Sequence, residues 1–285
     1  MDVSGIDPRG GGFSEAERET AERKVIETLM RAHELNPDGN IPVNFHSAEG
    51  IPSSQFLPPS KRKEEEKYKK LIVVNKETGR LAPIEPEERF YPEEGLRKET
   101  HTAEDHLRIL NHTEWDNTIS QIEINRQKVD EILTDTNPIF RDLYANWRVW
   151  KINPKLVPDL VAEHLENLNL QEKEQISRVH SASIYADQAT KTAYSAFDKA
   201  VKNSTDEEKK LLQNAAMEYS KTLGIKDENK RESRAFDPKV QAEALFHLIQ
   251  GMEKIRPQIF VPIEKFAVEK SSETFGNAAW QAYKR

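Results

Sequence analysis

Residues able to hold a metal ion or move protons crowd together in the segment His101-Thr102-Ala103-Glu104-Asp105-His106, with His112 six residues further on. On a helix His101 and Asp105 stand one turn apart and share a face, a spacing that suits two ligands of zinc or a similar ion. His106 lies about 100° beyond Asp105 on that helix, so the segment offers no ready third ligand. The same residues also make an ordinary solvated helix start, where Glu104 and Asp105 would face the positive end of the helix dipole. We therefore expect no metal site and no cofactor. A metal-assisted hydrolase built on His101, Asp105 and His106 stays as an alternative function.

Other chemistry is absent as motif. The chain has no G-x-G-x-x-G, G-x-x-x-x-G-K-[ST], H-E-x-x-H or G-x-S-x-G, so phosphate loops, zincin sites and nucleophile elbows are not indicated. Gly10-Gly11-Gly12 precedes no strand. None of the eight histidines has a Glu three residues before it, which removes the di-iron bundle pattern. With no cysteine, disulfides, thiolate nucleophiles and Cys-ligated zinc are excluded. Two N-x-[ST] tripeptides, Asn111-His112-Thr113 and Asn203-Ser204-Thr205, read as chance occurrences without a secretory signal.

Residue types that dominate binding hot spots occur on one short helix: Phe140, Tyr144, Trp147 and Trp150, flanked by Arg141 and Arg148. They are the first candidate contact surface. A second set lies along a long N-terminal arm, where Phe45, Ile51, Phe56, Leu57 and the Leu71–Val74 run (Leu71 and Val73 included) supply spaced apolar anchors. Long irregular segments tend to be functional, so residues 40–84 are expected to dock in trans, on a second copy or a separate partner. His164 and His180 sit on apolar faces and read as core histidines. Arg126 interrupts an apolar stripe, so it either has a carboxylate partner or marks where the stripe leaves the core.

The elements that would carry these groups are mostly helical. Trp115, Ile119, Ile122, Arg126, Val129 and Leu133 step by four and three, one face of a helix. Asn137-Pro138 ends it and starts the next, as N-cap and first-turn proline, giving an antiparallel pair with an aromatic seam. Leu156, Val157, Leu160, Val161, His164, Leu165 and Leu168 form the next face. Gln171–Val201 is a long uninterrupted helix whose seam (Ile176, Val179 or His180, Ser183, Ala186, Thr190, Ala193, Phe197, Ala200) is rich in small residues. A helix capped by Ser204 or Thr205 with Glu207 and Glu208 and ended by Gly224 at its C-cap, one over 238–252 capped by Asp237, and one over 263–283 complete the set. Arg256–Pro262 is read as an apolar bend.

Ahead of residue 101, Ser14 and Glu17 form a capping box for a helix ending near Leu35 whose first three turns are solvated. A Pro-rich loop follows over 40–63 and a charged run over 60–70. Leu71–Ile84 reads as a small β-hairpin with Pro83 on its edge strand, and 85–100 as an acidic linker. The fold class is mainly α: an irregular multi-helix bundle over 101–285 with an N-terminal arm over 1–100.

Composition narrows the function. Of 285 residues 36% are apolar and 32% charged, a balance that buries only a modest core. The net charge of −7, with both signs mixed, disfavours nucleic acid and anionic membranes as partners. A nucleocapsid-type RNA-binding role would need its basic residues gathered in space. No apolar run is long enough to span a membrane and no signal peptide is visible. The expectation is a soluble protein, cytoplasmic or exported by a route without a signal peptide. It acts through protein partners or self-association as an adaptor, structural subunit or effector rather than as an enzyme.

Overall fold

The computed structural model describes residues 3–7, 12–39, 41–44, 59–61, 63, 69–92, 96–224 and 233–284. Among the described residues the fold is mainly α, 70% helical, with eight helices and a few small sheets. The chain divides into two compact units, residues 1–111 with 259–285, and residues 112–258. This division differs from the border at residue 100 suggested by the sequence, because the last helix belongs with the N-terminal residues.

In the first unit β1 (Ile6–Asp7) pairs with β2 (Gly12–Phe13), and α1 runs over Glu15–Leu35. β3 (Leu71–Asn75) is the centre of a three-stranded antiparallel sheet, between β4 (Leu81–Ile84) and β7 (Phe260–Pro262). The hairpin and its proline-bearing edge strand are as the sequence implies. The stretch read as an apolar bend is instead strand β7, in register with Val73 and Val74. Phe260 and Val261 are the wrong distance away in sequence to suggest that pairing, but their alternating burial fits a strand packed on one face.

The stretch read as a linker also folds. β5 (Glu87–Tyr91) and β6 (Arg97–His101) form a second hairpin in which Arg89 faces Glu99 and Lys98 reaches Glu88 diagonally across the strands at 2.8 Å. Cross-strand ion pairs of this kind replace the apolar alternation that marks a strand in sequence.

α8 (Ile263–Lys284) packs on α1. Ser14 makes no side-chain cap bond, so the expected capping box is not formed. The first turns of α1 are not solvated either. Arg18 and Glu22 are buried, and the Arg18 guanidinium donates to Glu15 at 2.6 Å, Glu22 at 2.9 Å and Thr274 Oγ1 on α8 at 3.2 Å. A buried arginine is tolerable only with its donors met in this way.

The second unit holds most of α2 (Ala103–Leu133), then α3 (Pro138–Ile152), α4 (Asp159–Glu166), α5 (Leu170–Asn203), α6 (Asp206–Leu223) and α7 (Pro238–Met252). The Trp115–Leu133 stripe is buried except at Arg126. Asn137 caps α3 by accepting from the Ile139 N–H. Thr205 and Glu208 form a capping box for α6, and Gly224 ends it at φ 70°. Asp237 caps α7.

Along α5 the residues Ala182, Ala186, Ala189, Ala193, Ala196 and Ala200 are all buried. Small side chains there bring neighbouring helices close, so the core builds from α5, α6 and α7 around Leu212, Leu245, Leu248 and Met252. The expected antiparallel pairing of α2 with α3 is not the main contact. α3 packs chiefly on α5 and on the 3-10 turn Ser233–Phe236.

α6 and α7 approach closely at Gly251, where a Cβ would lie 2.3 Å from Ala215 Cβ, whereas one on the helical Gly276 would meet nothing within 4 Å. Gly251→Ala should therefore destabilise the second unit by about 1–3 kcal/mol through overpacking. Gly276→Ala should stabilise α8 by about 0.5–1 kcal/mol through helix propensity. Denaturant melts of the two variants check the opposite signs.

Candidate functional site

The short helix α3 presents its residues in two layers. Leu143, Tyr144, Ala145 and Val149 are buried, Tyr144 in a cluster with Val179, Ala182 and Ala186 of α5 against which Phe140 and Trp147 also pack. Burying such a face stabilises by about 1.5–3 kcal/mol per large apolar side chain. Phe140, Trp147 and Trp150 are half-buried, and Lys151 lies over both indoles, 5.6 Å from the Trp147 ring and 5.4 Å from the Trp150 ring. Cation–π contact of this kind holds the ammonium against the rings without a carboxylate.

Beneath this layer Tyr144 is 0% exposed, yet its hydroxyl meets three polar groups: Ser183 Oγ at 2.7 Å, His180 Nδ1 at 3.1 Å and an Arg148 N–H donating at 3.2 Å. Ser183 in turn donates to the His180 carbonyl at 2.8 Å. Arg148 also approaches Asp187 at 3.6 Å and lies 5.5 Å over the Phe236 ring. Burial works against its charge, but the bonds to Tyr144 and Asp187 outweigh it and hold the guanidinium above its ordinary range.

Past the end of α3 the chain turns at Pro154 and Pro158, and both the 3-10 turn Pro154–Leu156 and α4 fold back beside α3. Val157 and Leu165 are buried, whereas Ile152, Leu156, Leu160 and Leu170 are 67–81% exposed. The sequence placed Leu156 and Leu160 on one buried helical face. Pro158 prevents that, because the residue before a proline is driven out of the helical region and α4 starts only at Asp159.

The other residues singled out in the sequence fall elsewhere. Leu71 and Val73 are 2% and 0% exposed, in the core of the first unit with Ala103 and Leu107. Phe56 and Leu57 lie outside the described residues, as do Phe45 and Ile51. The reading of His164 and His180 as core histidines is corrected: both are exposed. His164 faces Glu172 at 3.3 Å.

His101, Asp105 and His106 do not converge. His101 ends β6 rather than opening a helix, and its Nε2 bonds the Tyr91 hydroxyl at 3.1 Å. Asp105 accepts from the Thr102 hydroxyl at 2.8 Å and from Arg108 at 2.8 Å. His106 Nδ1 donates to the Glu85 carbonyl at 2.8 Å. Among the described residues no group of three or more His, Asp or Glu side chains is placed to hold a metal ion.

A shallow depression of about 310 Å³ is lined by Arg126, Glu243, Phe246 and His247. Arg126 is held there by Glu123 at 2.7 Å and Asp130 at 2.9 Å and stacks 5.5 Å over Phe246. The interrupted stripe is thus explained by a carboxylate pair, which leaves the guanidinium committed within the fold. Comparison with protein-family models, curated proteins and solved structures finds no match for this chain. Among the described residues no helix is long and apolar enough to cross a membrane.

The Arg126 hydrogen bond holds the Glu123 carboxyl below its usual range, with burial opposing. A carboxylate depressed on folding contributes stability above its unfolded pKa of about 4.3 and loses it as pH falls through the lower folded value. Glu123→Gln should accordingly lose less stability than the native chain between about pH 5 and pH 3. Parallel acid-side melting curves would refute the pairing.

Proposed function

We propose that this is a non-enzymatic protein–protein interaction or assembly protein, an adaptor, structural subunit or effector. Its contact surface is α3 and the chain that follows it, centred on Trp147 and Trp150. The observation that carries the reading is the coincidence of half-buried indoles with four strongly exposed apolar side chains, Ile152, Leu156, Leu160 and Leu170, close in sequence and around one short helix. Scattered exposed leucines need no explanation, but such a grouping beside aromatic residues matches the make-up of binding sites. The surroundings favour a protein over an anionic membrane, since Asp159, Glu163 and Glu166 stand on the adjacent α4.

Tyr144 works from below: buried and fully hydrogen-bonded, it fixes the helix that presents the indoles. Of the arm residues, Leu71 and Val73 are used by the protein's own core, which leaves the α3 surface as the stronger contact.

The test is site-specific photo-crosslinking in the full-length chain. A crosslinker at Leu156 or Leu160 should give a discrete adduct, with a second copy in purified protein or with one partner in native extract. Trp147→Ala should cut its yield roughly tenfold, the scale of a hot-spot residue. Background adducts at both positions would refute the surface.

A further inference from the structure

The hydrogen atoms around Tyr144 can be counted. A backbone carbonyl only accepts, so the 2.8 Å contact between Ser183 Oγ and the His180 carbonyl uses the single Ser183 hydroxyl proton. Ser183 Oγ must then accept at its 2.7 Å contact with Tyr144, which uses the single Tyr144 proton. Arg148 donates to the same phenol oxygen and has no accepting capacity. Tyr144 therefore has no proton left for His180, and the 3.1 Å contact to Nδ1 is a bond only when Nδ1 carries the hydrogen. The reverse assignment, with Tyr144 donating to Nδ1, turns the Ser183 hydroxyl toward Tyr144. It leaves two oxygens facing each other at 2.8 Å with no hydrogen between them.

Which imidazole nitrogen holds the proton is set by the bond the other makes. His180 is an exposed residue on α5, and its Nε2 makes no hydrogen bond among the described residues. Its ring and that of Trp147 both lie against Tyr144, at 6.0 Å and 5.6 Å between centroids. We infer that His180 is locked in the Nδ1–H form, so that its Nε2 is a fixed hydrogen-bond acceptor on the exposed side of α5, able to receive an N–H or O–H donor but not to offer one.

Side-chain nitrogen NMR of full-length protein labelled at histidine, at about pH 8.5 where ordinary histidines are neutral, reads the tautomer directly. The native chain should show His180 as Nδ1–H. Ser183→Ala frees the Tyr144 proton to turn to Nδ1 and should switch His180 to Nε2–H, with the melting temperature following the fold separately. Tyr144→Phe should also lose the Nδ1–H form. An Nε2–H or evenly mixed His180 in the native chain overturns the inference.

Discussion

The hydroxyl of Tyr144 is the interaction on which the second unit's exposed surface depends. It is fully buried, and it draws Arg148 of its own helix and His180 and Ser183 of α5 to a single oxygen. A buried polar atom costs stability unless its bonds are made, and a lost partner costs about 1–3 kcal/mol. Those bonds tie α3 to α5 at one register, because a slip of either helix by one residue would leave the hydroxyl unpaired. The rotation of α3 follows: Tyr144 inward, Trp147 and Trp150 half-covered, and the chain from Ile152 onward turned out at Pro154.

The remainder of the fold answers a shortage of apolar residues by making helices approach closely. With 36% apolar residues, the core relies on alanine along α5 and on Gly251 against Ala215. Small residues bury little area each, but they let the larger side chains of α6 and α7 reach across. The first unit uses a different device. Where α1 meets α8, the buried Arg18 and Glu22 and the Thr274 hydroxyl replace part of the apolar contact with a hydrogen-bonded set that also accepts from Asn277 and Gln281 at Glu22.

Much of this was legible in the sequence where local rules decide. The stepping of Trp115, Ile119, Ile122, Val129 and Leu133, the caps at Asn137, Thr205 and Asp237, the end at Gly224 and the hairpin over 71–84 all depend on neighbours within a few residues. What escaped depends on distant partners. β7 pairs with β3 across more than 180 residues of chain, and the β5–β6 hairpin hides its strands behind charged cross-strand pairs. At the candidate site the aromatic residues of α3 were visible by type. The exposed group Leu156 and Leu160 was not, because a helical period was read through Pro158. Nor was the role of His180, since a histidine among small residues looks like core until its tyrosine partner 36 residues away is known.

A double-mutant cycle on Tyr144→Phe and Ser183→Ala, followed by denaturant unfolding of the full chain, tests the central claim most directly. If the buried hydroxyl is the shared tie between α3 and α5, the two substitutions are strongly non-additive, with a coupling of about 0.5–3 kcal/mol. Additivity within about 0.3 kcal/mol would mean that the helices are held by apolar packing alone, and the account of how this surface is positioned would fail.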